Sequence, residues 1–395
     1  MLGEYSMGNL WGDVSGIRPV KIARTTLGAG YDEDFFISKF KNDFGVSDEK
    51  TRLTLNIAIR EMEILKDFNN NDICLYIGIP FCKTRCLYCS FVTNTAANSS
   101  RYMMSFVSNL KKEIEYTAEL LKNTNYNIVS LYFGGGTPTT LSAMDLEDVI
   151  NKCYESFDLG NLVEFTVEAG RPDTIDRHKL ETLKKCGVTR ISINPQTMND
   201  NILKVIGRAH TVEDIYDSFK LARKCSFDNI NMDLIAGLPT ETLDEFKNSV
   251  KSVIDLEPEC ITVHTMSIKR GSKLHEKLGD YALTNEDVVE QMVNYSISML
   301  ADNEYFPYYL YRQKNMVGNF ENIGYSKHGK ECLYNIMIME ETNSIISMGC
   351  GGVSKIVNLP NDRIERVFNV KEVRDYVERI DEMLHRKDII LEWLN

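Results

Sequence analysis

The chain of 395 residues is defined first by what it does not contain. No run approaches the roughly 18 consecutive apolar residues that a membrane-spanning helix needs. The first residues, Met1-Leu-Gly-Glu-Tyr-Ser-Met7, lack the charged and apolar regions of a secretion signal, so the expected location is the cytoplasm. Positive charge is scarce: 45 Lys and Arg against 57 Asp and Glu give a net −12, which argues against a nucleic-acid partner. There is no low-complexity tract. The most telling absence is local. Cys82, Cys86 and Cys89 fall within eight residues, and no Cys or His follows them within the next thirty; the next cysteine after Cys89 is Cys153. A structural zinc site or a ferredoxin would call for a fourth ligand close by. Three thiolates instead suit three corners of a [4Fe–4S] cube, leaving one iron open to a small molecule. The other seven cysteines sit singly in apolar contexts and read as small buried hydrophobes in a reducing compartment.

Around this loop the pattern is α/β. Short β-branched or aromatic runs, each closed by Gly, Pro or a polar turn, predict strands at 74–79, 129–133, 163–168, 190–194, 230–235 and 261–265. Helical periodicity fills the gaps at 100–122, 143–156, 176–185, 212–224 and 243–256. Thr211 and Thr240, each followed by early acidic residues, predict N-caps. Six βα units imply a parallel sheet curved into a partial (β/α)6 barrel over residues 73–266, with chemistry on loops at the strand C-termini. Residues 1–72 read as a leader segment with a helix at 48–66. Residues 267–395 read as an α+β C-terminal extension, with helices at 285–302 and 371–385.

Other groups that carry chemistry follow the strands. Gly134-Gly135-Gly136-Thr137 lets a ligand approach the backbone closely, although a bare tight turn would also use glycines. Glu168, Gln196, Arg208 and Asp233 supply two carboxylates, an amide and a guanidinium, each placed at or just after a strand end. An unpaired carboxylate within the apolar run around Asp233 would be costly. His210 and His264 read as core or loop histidines before ligands.

Three cysteines in three-then-two spacing, with Tyr88 before the last, resemble the signature of the radical S-adenosylmethionine (SAM) enzymes. Tyr76-Ile-Gly-Ile-Pro-Phe-Cys82, Gly134-Gly-Gly-Thr-Pro138, Gly207-Arg-Ala-His210 and Asp233-Leu-Ile-Ala-Gly-Leu-Pro239 narrow this to a resemblance to the oxygen-independent coproporphyrinogen III oxidases and their relatives. Trp11…Pro19, Val167-Glu-Ala-Gly-Arg-Pro172 and Glu321-Asn-Ile-Gly-Tyr-Ser-Lys327 resemble its HemZ, or coproporphyrinogen dehydrogenase, branch. The resemblance implies a [4Fe–4S] cluster on Cys82, Cys86 and Cys89. It implies SAM held by Tyr76, Gly134, Gly135, Gly136, Thr137, Glu168, Gln196, Arg208 and Asp233. It further implies an external electron donor such as a flavodoxin or ferredoxin, and a tetrapyrrole substrate whose propionates become vinyl groups. Arg85, Arg171, Lys269, Arg270, Arg312 and Lys314 are the candidate cations for that substrate's carboxylates. Two departures stand out. The oxidase branch has a further cysteine where this chain has Phe91, and the haem chaperones of the superfamily also lack it; the HemZ branch commonly has a longer N-terminal region. A haem chaperone, with His328 or Cys332 as candidate ligands, and a haem-ring-opening methyltransferase are therefore the alternatives.

Overall fold

In the computed structural model, residues 10–14, 18–90, 95–312, 317–358 and 363–394 are described. Phe91 and Lys314 lie outside them. Six parallel strands form the centre in sequence order: β1 (Asp72–Ile79), β2 (Asn127–Gly135), β3 (Glu164–Gly170), β4 (Arg190–Ile193), β5 (Ile230–Ala236) and β6 (Cys260–Thr265). They match the α/β pattern expected from the sequence. All eight residues of β1 are buried or nearly so, as a strand covered on both faces requires. Burying side chains such as Ile77, Phe133 and Phe165 completely contributes about 1.5–3 kcal/mol each.

The C-terminal residues continue the same sheet at both flanks. β7 (Phe306–Tyr311) and β8 (Asn322–Ser326) join antiparallel beside β6. β9 (Ile345–Gly349) lies parallel to β1, followed outward by antiparallel β10 (Val353–Asn358) and β11 (Arg363–Phe368). The result is a mixed sheet of eleven strands. Three helices of the leader, Pro19–Gly28, Glu33–Phe44 and Asp48–Leu65, pack against this assembly. Their anchor is Glu321, fully buried just before β8, which accepts from Lys50 Nζ (2.7 Å) and Trp11 Nε1 (2.6 Å).

Two helix expectations need correction. Thr211 caps its helix with Asp214 in a reciprocal box, but Thr240 is no cap. It sits at φ +67°, and the helix Leu243–Ile254 starts after Thr242. The reason is in the spacing: three residues beyond Thr242 stands Glu245, which completes a capping box, whereas three beyond Thr240 stands Leu243. The single helix expected at 371–385 is two, Val373–Glu378 and Ile380–Leu394. Tyr376 and Lys387 would stand about 16 Å apart along one straight helix. Both reach the carboxylate of Glu113, and the break at Arg379 makes that possible.

Candidate functional site

At the C-terminal rim of β1–β6 lies a cavity of about 360 Å3. Its lining includes Cys82, Cys86 and Cys89 together with Tyr76, Gly135, Gly136, Thr137, Glu168, Gln196, Arg208 and Asp233. Of the residues singled out from the sequence for cluster and cofactor, only Gly134 is not in the wall. A Cβ there would meet Tyr132 and Glu168, at 2.9 and 3.0 Å, so its smallness serves packing behind the wall. The strand-end expectation also needs adjustment. Tyr76 and Asp233 sit within β1 and β5, which carry them into the cavity directly, and Arg208 reaches it from the loop after the helix Asp200–Val205.

The cysteine loop and the glycine loop are locked together. Gly136 N–H donates to Ile79 O and Thr137 N–H to Phe81 O, both at 2.7 Å. A Cβ on residue 136 would stand 2.5 Å from Phe81 O, so only glycine permits this approach, and Gly135 takes φ +104°. Cys82 Sγ lies 3.3 Å from Thr137 Oγ1. Arg171 braces the cysteine loop from the other side by donating to Thr84 O (2.9 Å) while it pairs with Asp173. Gln196 is held at φ +70°, a position most non-glycine residues avoid, by main-chain bonds to β5: Gln196 N–H to Asp233 O (2.8 Å) and Ile235 N–H to Gln196 O (3.0 Å).

The two carboxyl groups of the cavity are shifted in opposite directions. Burial pushes Glu168 up to about 7, with the Tyr132 hydroxyl (2.7 Å) drawing it partly back and Asp233 adding repulsion. Burial also acts against ionised Asp233, but His264, Asn231 and Thr262 outweigh it and hold the carboxyl below its ordinary value. Asn231 Nδ2 donates at 2.7 Å, and His264 Nε2 stands 3.7 Å away. Burial raises the Cys82 thiol to about 11. Arg208 donates to Asn194 O (2.8 Å) and Tyr88 Oη (3.2 Å), yet its Nε and the neighbouring Asn194 Oδ1 are buried without a hydrogen-bond partner among the described residues.

These observations test whether the residues fit a cubane cluster and SAM. Among the described residues, no three His, Cys, Asp or Glu side chains converge on a single metal ion. A cube asks for something different, since each thiolate takes its own corner iron. Three thiols on one cavity wall, beside an orphaned guanidinium nitrogen, two carboxyl groups and a glycine cradle, fit a cluster and a zwitterionic ligand. Of the candidate substrate cations, Arg171 and Lys269 reach the cavity. Arg85 is turned to Gly271 O, Arg270 is exposed, and Arg312 stacks over Trp11. His210 is buried outside the cavity, whereas His264 lines it. His328 rests against Phe306 and Cys332 is buried beside Glu164, both away from the cavity. Sequence reasoning missed Tyr88, Asn194, Tyr311 and Asn322, which also line it. Tyr88 had a signal in the cysteine loop, Asn194 in its place at the end of the strand expected at 190–194, and Asn322 in the Glu321–Lys327 motif; Tyr311 arrives through folding.

Comparison with known proteins gives a consistent picture. The radical SAM superfamily model matches residues 76–253. The chain is 40% identical to the oxygen-independent coproporphyrinogen-III oxidase-like protein HemZ of Bacillus subtilis (strain 168), over 97% of this chain and 77% of that protein. It is 29% identical to the heme chaperone HemW of the same strain, over 78% and 76%. Among solved structures, coproporphyrinogen III oxidase (HemN) from Escherichia coli, a radical SAM enzyme, superposes with a TM-score of 0.61 at 21% identity, covering 83% of this chain and 73% of that one. At that identity the likeness speaks for the fold.

Proposed function

This chain belongs to the radical SAM superfamily and, within it, to the oxygen-independent coproporphyrinogen-III oxidase-like family, and from that premise we propose that it decarboxylates porphyrinogen propionates oxidatively, with coproporphyrinogen III as substrate. The superfamily uses a [4Fe–4S] cluster and SAM. When bound, the pair would supply a carbon radical able to take a hydrogen atom from the β-carbon of a propionate; carbon dioxide would then leave, the remaining electron would pass to an external one-electron acceptor, and a vinyl group would remain.

The protein's part is holding and orienting. Cys82, Cys86 and Cys89 hold the cluster. Arg208 offers its unpartnered Nε and fork to the cofactor carboxylate, a geometry suited to guanidinium. Glu168 and the Gly135–Thr137 loop face the amine, while Asp233 and Gln196 face the ribose. Tyr76 packs beside both groups. Arg171 pairs with Asp173 and braces the cysteine loop, and Lys269, which also lines the cavity, is the cation assigned to a substrate carboxylate. An external one-electron donor such as a flavodoxin or ferredoxin reduces the cluster, and the reaction runs in the cytoplasm without nucleic acid.

The observation that carries the substrate assignment is the 40% identity to HemZ along nearly the whole chain. The HemW relatives favour a second reading, haem transfer, in which the cavity is kept but the decarboxylation is not. The test is anaerobic. The reconstituted protein should hold about four irons, and Cys86→Ala should lose the cluster; a full cube in that variant sinks the assignment. With coproporphyrinogen III deuterated at the propionate β-carbons, label should enter 5′-deoxyadenosine while vinyl product and carbon dioxide appear in step. Unlabelled 5′-deoxyadenosine without vinyl product refutes the substrate. Tight haem binding without turnover then supports the chaperone reading, and methylated, ring-opened product from haem supports a methyltransferase.

A further inference from the structure

The charge of this chain is unevenly distributed, and one concentration of positive charge surrounds the cysteine loop. Three segments meet there. Residues 82–90 carry the thiols. Residues 200–208 are tied to them by Leu87 N–H to Ile206 O (2.9 Å) and Thr84 Oγ1–H to Gly207 O (2.8 Å). Residues 269–277 are tied by Leu274 N–H to Leu87 O (2.9 Å) and by Arg85 to Gly271 O. Together these segments hold eight Lys and Arg against two acids, Asp200 and Glu276, in a chain where acids otherwise predominate. Many cations elsewhere on the surface are paired: Lys39 with Asp43, Lys41 with Asp48, Lys111 with Asp148, Lys185 with Glu147. Lys204, Arg270, Lys273 and Lys277 are exposed and have no ion-pair partner among the described residues. Of the eight, Lys83 pairs with Asp173 and Arg208 and Lys269 line the cavity; Lys204, Arg270, Lys273 and Lys277 are the exposed cations of a positive face that folding gathers from distant segments. Cys82 and Cys89, only half-buried, lie just beneath it.

We propose that this face is the docking surface for an acidic one-electron carrier protein, which delivers its electron to the cluster through the cysteine loop. The inference rests on the reading that Cys82, Cys86 and Cys89 hold a reducible cluster, and it is independent of the substrate. Two arguments select this partner. Lys204, Arg270, Lys273 and Lys277 are exposed and none of them lines the cavity, so they serve an object that stays outside. A chain of net −12 repels an acidic protein on average, so a positive face favours encounters in one orientation.

The experiment is a charge reversal read by cluster reduction. In the reconstituted full chain, Lys204, Arg270 and Lys273 are replaced together by Glu; none lines the cavity. Lys220, Lys224 and Lys251, exposed on helices elsewhere, are replaced by Glu in a control with the same change of net charge. The probe is photoreduced flavodoxin, followed by the loss of cluster absorbance, with neutral photoreduced deazaflavin in parallel. At low salt the face variant should be reduced by flavodoxin about tenfold or more slowly than the parent. The control should stay near the parent, the difference should shrink as salt rises, and deazaflavin should reduce all three alike. Equal slowing in the control would make the effect one of net charge and overturn the proposal, as would an unchanged flavodoxin rate in the face variant. If deazaflavin reduces no iron–sulfur centre even in the parent, the cluster reading fails first. If the triple variant does not fold, Arg270→Glu alone should slow flavodoxin about threefold, and no slowing overturns the proposal.

Discussion

Two glutamates of this molecule are taken out of bulk water in opposite ways. Glu113, on the helix Met103–Leu121, is fully buried and every lone pair is answered: Gly349 N–H (2.9 Å), Asn369 Nδ2 (2.6 Å), the Tyr376 hydroxyl (2.5 Å) and Lys387 Nζ (3.1 Å). Glu168, on β3, is answered by the Tyr132 hydroxyl and the Gly135 N–H, and no Lys or Arg is among the groups that chiefly act on it. Its neighbours include a second acid, Asp233, and its free side opens on the cavity. A carboxylate whose donors and countercharge all come from the protein is a bolt of the fold. One left half-answered at an open cavity costs stability unless something cationic arrives. The contrast separates a carboxylate that the fold satisfies by itself from one that, on the proposed function, faces a ligand.

The comparison is broken most forcefully from Lys387. Lys387→Met leaves Glu113 buried without its countercharge, and removal of one partner of such a pair costs about 3–5 kcal/mol. Denaturant unfolding should show that loss. Adding Glu113→Gln should restore much of it, because the isolated charge is then gone. A loss below about 1 kcal/mol in the single variant would mean that Glu113 is not the bolt described.

Glu168→Gln should behave in the reverse manner. Stability should hold or rise slightly, since an awkward buried acid has become a neutral amide. Affinity for SAM, measured calorimetrically on the reconstituted protein, should fall about ten- to a hundredfold, the value of a charged hydrogen bond of roughly 1.5–3 kcal/mol. Asp233→Ala should lose affinity to a similar degree. Unchanged affinity in a well-folded Glu168→Gln protein would remove Glu168 from the ligand's contacts.

This contrast marks how far the sequence could be read. The six central strands were legible because each is a short apolar run between turn residues, and β1 through β6 follow one another in space as in sequence. The cysteine loop was legible because its thiols are neighbours in the chain. What could not be read depends on distant partners. Tyr311 and Asn322 enter the cavity because β7 and β8 add antiparallel beside β6, a pairing that local pattern does not announce. Glu113 looks like any acid on an amphipathic helix; only Gly349, Asn369, Tyr376 and Lys387, all more than two hundred residues away, make it a buried anchor. The misplaced cap at Thr240 was a different failure, because the signal of Thr242 with Glu245 three residues on was in the sequence and was passed over.

The smallest expected effect is also the one that isolates Glu168. Its carboxyl titrates near 7 in the folded protein, against an ordinary value of 4.5. Between those values the folded chain keeps a proton that the unfolded chain has released, so this group's contribution to stability falls as pH rises from about 4.5 to 7. Below 4.5 both states are protonated and above 7 both have lost the proton, so the contribution is level on either side. The full displacement would be worth about 3 kcal/mol, and water in the open cavity reduces that to about 1–2 kcal/mol. Glu168→Gln cannot titrate. The midpoint of thermal unfolding in the metal-free protein should therefore drop by a few degrees more in the parent than in the variant across that window. Glu241, which burial raises to about 8, titrates in both proteins and cancels from the difference. A ligand ammonium beside Glu168 favours its ionised form, so saturating the parent with SAM should flatten the slope. Parallel curves for parent and variant between pH 4.5 and 7 would show that Glu168 ionises normally in its place on β3, and the distinction from Glu113 would then rest on ligand affinity alone.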